Sequence, residues 1–256
     1  MTLKALIFDV DGTLADTERD GHRPAFNQAF AEAGLDWHWD VALYGKLLAV
    51  TGGKERMKHY IDHYRPDYSK PADFDDMVAE LHKNKTRHYA ALAAQGGIPM
   101  RSGVKRLLDE ARDAGLRLAI ATTTTPENVT VLLDHSLGTG SADWFEVIAA
   151  GDIVPAKKPA PDIYVYALEK MGLPASECLA FEDSENGLRA SLDAGLKTLV
   201  TVNDYTFEHD FRGAAAVLSS LGDPDAPNQW LAGLKIDQPF VDVAYLRMLH
   251  LMTPQP

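Results

Sequence analysis

The sequence predicts an α/β protein built on a doubly wound parallel sheet, with an inserted α-helical cap. Three observations carry that expectation. An apolar run over residues 3–10 stops at Asp9, Asp11 and Gly12, as a buried parallel strand does on reaching its ligand-facing end. From Gly96 onward, short apolar runs alternate with helical patterns that end in glycine. Between the first strand and that alternation lies a stretch too long for an ordinary strand–helix–strand crossover.

The elements follow in order. After Leu14, the spacing of Phe26, Phe30 and Ala33 predicts a helix that Gly34 stops. Phe74, Met77, Val78, Leu81, Tyr89 and Leu92 share one face of a second helix over 74–92, with charged residues between them facing solvent. Residues 16–95 are therefore assigned to the helical cap, and 1–15 with 96–256 to the catalytic core. A helix over 104–114 ends at Gly115, and 116–121 reads as a strand. Thr125 supplies a hydroxyl N-cap and Pro126 a first helical position. A short strand is expected at 147–150. Helices over 161–171 and 185–194 stop at Gly172 and Gly195, and strands lie at 179–181 and 196–202. Residues 214–218 are expected as an edge strand, 222–228 as a connecting loop and 241–251 as a closing amphipathic helix.

The chain has 256 residues, 46% of them hydrophobic, enough for one sizeable core and a smaller second module. Its net charge of -12 argues against nonspecific nucleic-acid binding and favours small metabolites as partners. Lys54, Arg56 and Lys58 form a local basic group, which reads equally well as a solvated helix face. Cys178 is the only cysteine, so it suits packing and a reducing compartment and cannot form an internal disulfide. Asp9 and Asp11 interrupt the first apolar stretch, and no run approaches the roughly 20 apolar residues of a membrane span. The expectation is a soluble, cytoplasmic protein with no membrane, nucleic-acid or obligate protein partner.

Asp9 and Asp11 bring two carboxylates to one tight turn, as a phosphoryl-transfer nucleophile and its proton-handling partner require; a lone Asp-Gly pair serves a turn equally well. Three further pieces follow in order: Thr122 in Ile120-Ala121-Thr122-Thr123, Lys158 in Lys158-Pro159-Ala160-Pro161-Asp162, and Glu182-Asp183-Ser184. On these residues the chain resembles the haloacid dehalogenase superfamily over nearly its whole length, with Asp9, Asp11 and Thr13 meeting that family's Asp-x-Asp-x-Thr signature.

The resemblance implies a Rossmann-like core and catalysis in two halves. Asp9 attacks phosphorus and becomes an aspartyl phosphate, while a protonated Asp11 protonates the departing oxygen and then activates water. It also implies Mg²⁺, bound by Asp9, Asp183 and the Asp11 backbone carbonyl, with Glu182 direct or through water. Up to four carboxylates beside a phosphate need that cation and Lys158 as countercharge. Thr122, Thr123 and Lys158 hold the phosphate by the same resemblance. Each of these residues also fits an ordinary structural role, and Lys157 leaves the lysine open by one position.

Asp16-Thr17-Glu18, Thr51-Gly52-Gly53-Lys54-Glu55-Arg56 and Thr201-Val202-Asn203-Asp204-Tyr205-Thr206 resemble the CbbY group of this superfamily. That implies a sugar-bisphosphate phosphatase, with xylulose 1,5-bisphosphate yielding a xylulose monophosphate and phosphate beside the Calvin cycle. A bisphosphate needs a second anchor, for which Lys54 and Arg56 are candidates and His22 a weaker one. Glu18 suits sugar hydroxyls, and Trp37 and Trp39 suit packing. A β-phosphoglucomutase-like phosphomutase and a nonenzymatic phosphate-metabolite-binding protein are the alternatives.

Overall fold

In the computed structural model, which describes residues 2–96, 98–235 and 238–256, the first apolar run becomes β1 (Ala5–Phe8), buried throughout. The chain leaves β1 through a turn at Gly12, whose φ of 84° lies in the left-handed region that favours glycine. A π-helical turn, Glu18–His22, then leads into α1 (Arg23–Glu32), α2 (Val41–Leu47), α3 (Gly53–Tyr64) and α4 (Phe74–Ala94). The expected apolar faces produce α1 and α4. Apolar spacing singled out neither α2 nor α3. The former has seven residues and starts at an N-cap in which Asp40 accepts from the Leu43 N–H at 2.7 Å. The latter buries Arg56 beside Met57, Tyr60 and Ile61, a mixed face that apolar counting misses.

These inserted helices close over their own aromatic cluster. Trp39 lies 4.8 Å from Phe26, 4.9 Å from Phe30 and 5.5 Å from Tyr60 between ring centroids, with Trp37 against Phe30 at 5.3 Å. Trp37 and Trp39 are buried, so packing is what they do. Burying a side chain such as Phe26 or Phe30 contributes about 1.5–3 kcal/mol, which lets a thin helical layer hold its own core. The insertion is also anchored below, because Ala25 of α1 and Tyr89 and Ala93 of α4 join the main core cluster.

The chain returns through α5 (Val104–Asp113), β2 (Arg117–Ala121), α6 (Pro126–Leu137), β3 (Val147–Ala149), α7 (Asp162–Met171), β4 (Cys178–Glu182), α8 (Glu185–Asp193), β5 (Lys197–Thr201), β6 (Ala216–Leu218), β7 (Trp230–Gly233) and α9 (Val243–Met252). The expected N-cap is present, with Thr125 accepting from the Asn128 N–H at 3.4 Å. The sheet runs β3-β2-β1-β4-β5-β6-β7, with Ala5 in register with both Arg117 and Cys178. Strands β1 to β6 are parallel. One expectation is corrected: 214–218 is not the edge, because β7 pairs antiparallel outside it. Leu231, Ala232 and Gly233 are exposed, so β7 carries no buried apolar run by which to be recognised.

Side chains alternate across the sheet. Leu6, Phe8, Ile120 and Phe181 face one core, whereas Ala5, Ile7, Ala121 and Cys178 face another that includes Ile163, Tyr164 and Ala167 of α7. Cys178 is fully buried there, in its expected packing role. Since β1, β2, β4 and β5 are parallel, their carboxyl ends share one rim, and the motif residues all sit on that rim.

Candidate active site

Asp9 follows the last residue of β1, and its N–H donates to the Phe181 carbonyl at 3.0 Å, so the sheet ladder itself aims its carboxylate into the cleft. Lys158, 5% exposed, reaches the same point and bridges Asp9 Oδ1 and Glu182 Oε1, at 2.6 Å each. Of the two adjacent lysines only Lys158 meets Asp9: Lys157 instead pairs outside with Glu55 at 3.1 Å and Asp152 at 3.0 Å. Thr13 donates to Asp9 Oδ2 at 3.3 Å. The Tyr164 hydroxyl donates to Glu182 Oε1 at 2.5 Å, and Asn203 Nδ2 donates to Asp183 Oδ2 at 2.7 Å.

Asp9, Glu182 and Asp183 each present an oxygen within 4.8 Å of the others. Burial, which outweighs the pull of Lys158, together with the Glu182 and Asp11 charges pushes Asp9 up to about 8. Burial, then Asp9 and Glu182, raise Asp183 well above the carboxylate range. Against the cost of burial, Asp9 and Glu182 hold the Lys158 ammonium above its ordinary value, so it stays charged. A single lysine therefore leaves this carboxylate group under-neutralised. A hard divalent cation such as Mg²⁺ fits a cluster of that charge and all-oxygen chemistry. Glu182 Oε1 is shared by Lys158 and Tyr164, and Asp183 Oδ2 is held by Asn203, which leaves Asp183 Oδ1 without a side-chain donor among the described residues.

Asp11 faces the inserted helices. Its Oδ1 accepts from Thr17 Oγ1 at 2.5 Å and from His22 Nε2 at 2.8 Å, while Lys85 Nζ stands 2.7 Å from His22 Nδ1. The His22 ring is stacked on Tyr89 at 4.2 Å and is 3% exposed, so it is a built part of the site and no surface histidine. Burial opposes ionisation of Asp11, but the His22 charge, the His22 and Thr17 hydrogen bonds and Lys85 bring it down to about 2. Asp11 is thus held by hydrogen bonds from the inserted helices, on the side of the cleft opposite Lys158.

A cleft of about 230 Å³ opens over these groups, lined by Asp9, Asp11, Glu18, Arg56, Thr123 and Lys158, among others. The cleft lining includes Thr123 but not Thr122, which is 1% exposed and accepts from the Thr124 N–H at 3.3 Å. Arg56 Nη1 donates to the Tyr44 hydroxyl at 2.9 Å, and that hydroxyl donates to Glu18 Oε2. Lys54 corrects the sequence reading. It turns away from the cleft to Asp152 at 2.6 Å, and Lys58 pairs with Asp75 at 2.6 Å, so Arg56 alone of that basic group enters the site.

Sequence reasoning missed Tyr44, Lys85, Tyr164 and Asn203. Only Asn203 stood within a quoted motif; the other three lie within helices, where Tyr44 and Tyr164 read as packing aromatics and Lys85, expected to face solvent with the other charges of its helix, is instead buried.

The pattern of the haloacid dehalogenase-like hydrolases matches residues 3–195. The plasmid-encoded protein CbbY of Cupriavidus necator is 50% identical over 252 residues, 97% of each chain. A variant of CbbY from Rhodobacter sphaeroides, solved in complex with xylulose-(1,5)bisphosphate, superposes with a TM-score of 0.80 at 45% identity, covering 85% of this chain and 94% of that one. A β-phosphoglucomutase from Clostridium difficile shares the fold at a TM-score of 0.72, 19% identity and 97% coverage of each chain. With the pattern running from β1 into the turn after α8, and half of the residues shared with a CbbY over almost the full length, the chain belongs to the haloacid dehalogenase-like hydrolases, among the CbbY proteins.

Proposed function

We propose that this hydrolase is a Mg²⁺-dependent sugar-bisphosphate phosphatase acting on xylulose 1,5-bisphosphate, with residues 16–95 serving as its cap. The observation that carries the reading is one cleft with the Lys158-bridged Asp9, Glu182 and Asp183 cluster at its floor and the buried Arg56 at its roof. Floor and roof supply two cationic anchors, as a bisphosphate requires. The similarity to a CbbY solved with xylulose-(1,5)bisphosphate supports the choice of sugar.

Asp9 is placed to attack phosphorus and carry the phosphoryl group as an aspartyl phosphate. Lys158 neutralises the phosphoryl oxygens as they approach the carboxylates, and Thr123 offers a hydroxyl beside them. Asp9 and Asp183, with the Asp11 carbonyl, would hold Mg²⁺, which supplies charge neutralisation at the transferring group. His22, backed by Lys85, hands Asp11 the proton for the departing sugar oxygen. Asp11 returned to carboxylate then takes a proton from the attacking water.

The test is a panel of sugar mono- and bisphosphates in which free phosphate and isomeric sugar products are measured together, before and after chelation. Phosphate release highest on xylulose 1,5-bisphosphate, lost with chelator and restored by Mg²⁺, supports the reading. Isomeric product without phosphate release replaces it with a mutase. Tight metabolite binding with no turnover replaces it with a binding protein.

A further inference from the structure

The turn carrying Asp9 and Asp11 is held from outside. Arg101, on the segment returning from α4, has a side chain only 7% exposed and points back across the sheet rim. Its Nη1 donates to the Gly12 carbonyl and, at 3.0 Å each, to Thr201 O and Oγ1. Its Nη2 donates to the Val202 carbonyl and, at 3.0 Å, to that of Ser219. One planar guanidinium thus ties the β1 turn to the ends of β5 and β6.

Both ends of that tie touch Asp183. Asn203, the residue after Val202, donates to Asp183 Oδ2 at 2.7 Å. A Cβ added at Gly12 would lie 2.2 Å from the same oxygen and 2.6 Å from Asn203 Nδ2. The turn, Asn203 and Asp183 are therefore packed without slack, and any separation of Gly12 from Val202 alters where Asp183 sits relative to Asp9.

We propose that Arg101 is a positioning residue for the cation site: by clamping Gly12 to Val202, it sets the separation of the Asp9 and Asp183 carboxylates. This rests on the Mg²⁺ reading above. Lysine is no substitute, because an ammonium lacks the planar fork that reaches Gly12, Thr201, Val202 and Ser219 together. The ion pair of Arg101 Nε with Asp16, at 3.1 Å, is a separate contact whose carboxylate is 61% exposed and weakly coupled.

The experiment is calorimetric titration of Mg²⁺ into the metal-stripped full chain without substrate, for wild type, Arg101→Lys, Thr201→Val and Asp16→Asn. Melting curves in chelator are recorded beside it. Arg101→Lys binds Mg²⁺ about tenfold to a hundredfold more weakly, the range expected when a partner of a metal ligand is lost. Its KM for sugar phosphate at saturating Mg²⁺ stays near wild type. Thr201→Val, deprived of one acceptor, weakens binding about threefold, and Asp16→Asn binds as wild type. A merely structural role would lower the melting temperature and leave Mg²⁺ affinity where it was. Wild-type affinity in folded Arg101→Lys overturns the proposal, as does wild-type affinity in Thr201→Val should Arg101→Lys not fold. Equal weakening in Asp16→Asn also overturns it, by assigning the effect to the ion pair. If wild type itself binds no Mg²⁺, the metal reading fails and the Arg101 assignment with it, an outcome distinct from failure of Arg101 alone.

Discussion

The floor and the roof of the cleft are built differently. On the floor, Asp9, Lys158, Glu182 and Asp183 crowd into a buried ionic cluster fixed by strand ends and backbone hydrogen bonds. On the roof, Glu18 and His22 come from the π-helical turn, Tyr44 from α2, Arg56 from α3 and Lys85 from α4, with Arg56 over the Tyr44 ring and Lys85 over those of Phe26 and Tyr89. Strand ends are held rigidly, which suits chemistry that fails when atoms are misplaced by an ångström. The helix-borne groups are mounted on a layer with an aromatic core of its own, apart from the strand ends. Polar contacts join the two at the rim, including Lys54 to Asp152 and Asn186 to the Ala49 carbonyl at 3.3 Å.

If that division is right, substitutions on the floor abolish turnover and those on the roof change preference. Asp9→Asn should lower turnover by at least about 10⁴-fold and leave no phosphoenzyme in a rapid-quench assay, since an amide cannot attack phosphorus. Turnover near wild type in a verified, nondeamidated sample would break the comparison at its base. Lys158→Ala should cost roughly 10²–10³-fold in kcat on every substrate, because the charge it neutralises is common to all of them. Lys157→Ala, lying outside the cleft, should leave kcat within about twofold.

On the roof, Arg56→Ala should remove about 1.5–3 kcal/mol of charge-assisted contact. That is roughly tenfold to more than a hundredfold in kcat/KM for xylulose 1,5-bisphosphate relative to a short monophosphate. Equal losses on both substrates would show that Arg56 supports the cap and reads no distal phosphate. Lys54→Ala sharpens the same point, and an unchanged preference is expected because its ammonium already pairs with Asp152.

The smallest expected effect is a pH dependence. Burial brings Lys85 down to about 8 from the usual 10.5, against the pull of Glu18 and Asp11. Raising pH through 8 therefore removes the ammonium proton facing His22 Nδ1, and kcat should fall about threefold from pH 7 to 9. In Lys85→Met that alkaline limb should disappear, while a limb of unchanged size would clear Lys85 of any part in it. The linked stability runs the other way: above pH 8 the folded protein no longer carries a buried ammonium that the unfolded chain keeps charged up to about 10.4.

How far the molecule was legible follows the same division. Asp9, Asp11, Lys158, Glu182 and Asp183 each sit in a short motif, and all but Lys158 stand at or just beyond a predicted strand, so local sequence announces them. Tyr44 and Lys85 carry no such mark, since a polar atom buried mid-helix looks like any packed aromatic or amphipathic lysine until its neighbour is known. Lys54 and Arg56 show the limit most plainly: two residues apart in one basic group, Lys54 pairs with Asp152 outside the cleft, whereas Arg56 lines the cleft and donates to the buried Tyr44. On a helix a step of two turns a side chain by about 200°, so closeness in sequence separated them in space.

By itself the sequence determined the parallel sheet, the strand-end carboxylates and the glycine-terminated helices, because each follows from periodicity or backbone geometry within a few residues. Tertiary structure alone decided that Lys158 and not Lys157 meets Asp9, that His22 meets Asp11, that β7 covers the sheet edge and that Arg101 reaches the Gly12 turn. Those facts depend on which distant segments come within hydrogen-bonding reach, with Arg101 contacting groups 89 to 118 residues away. A bond across that distance is set by how layers pack, and no local pattern encodes it.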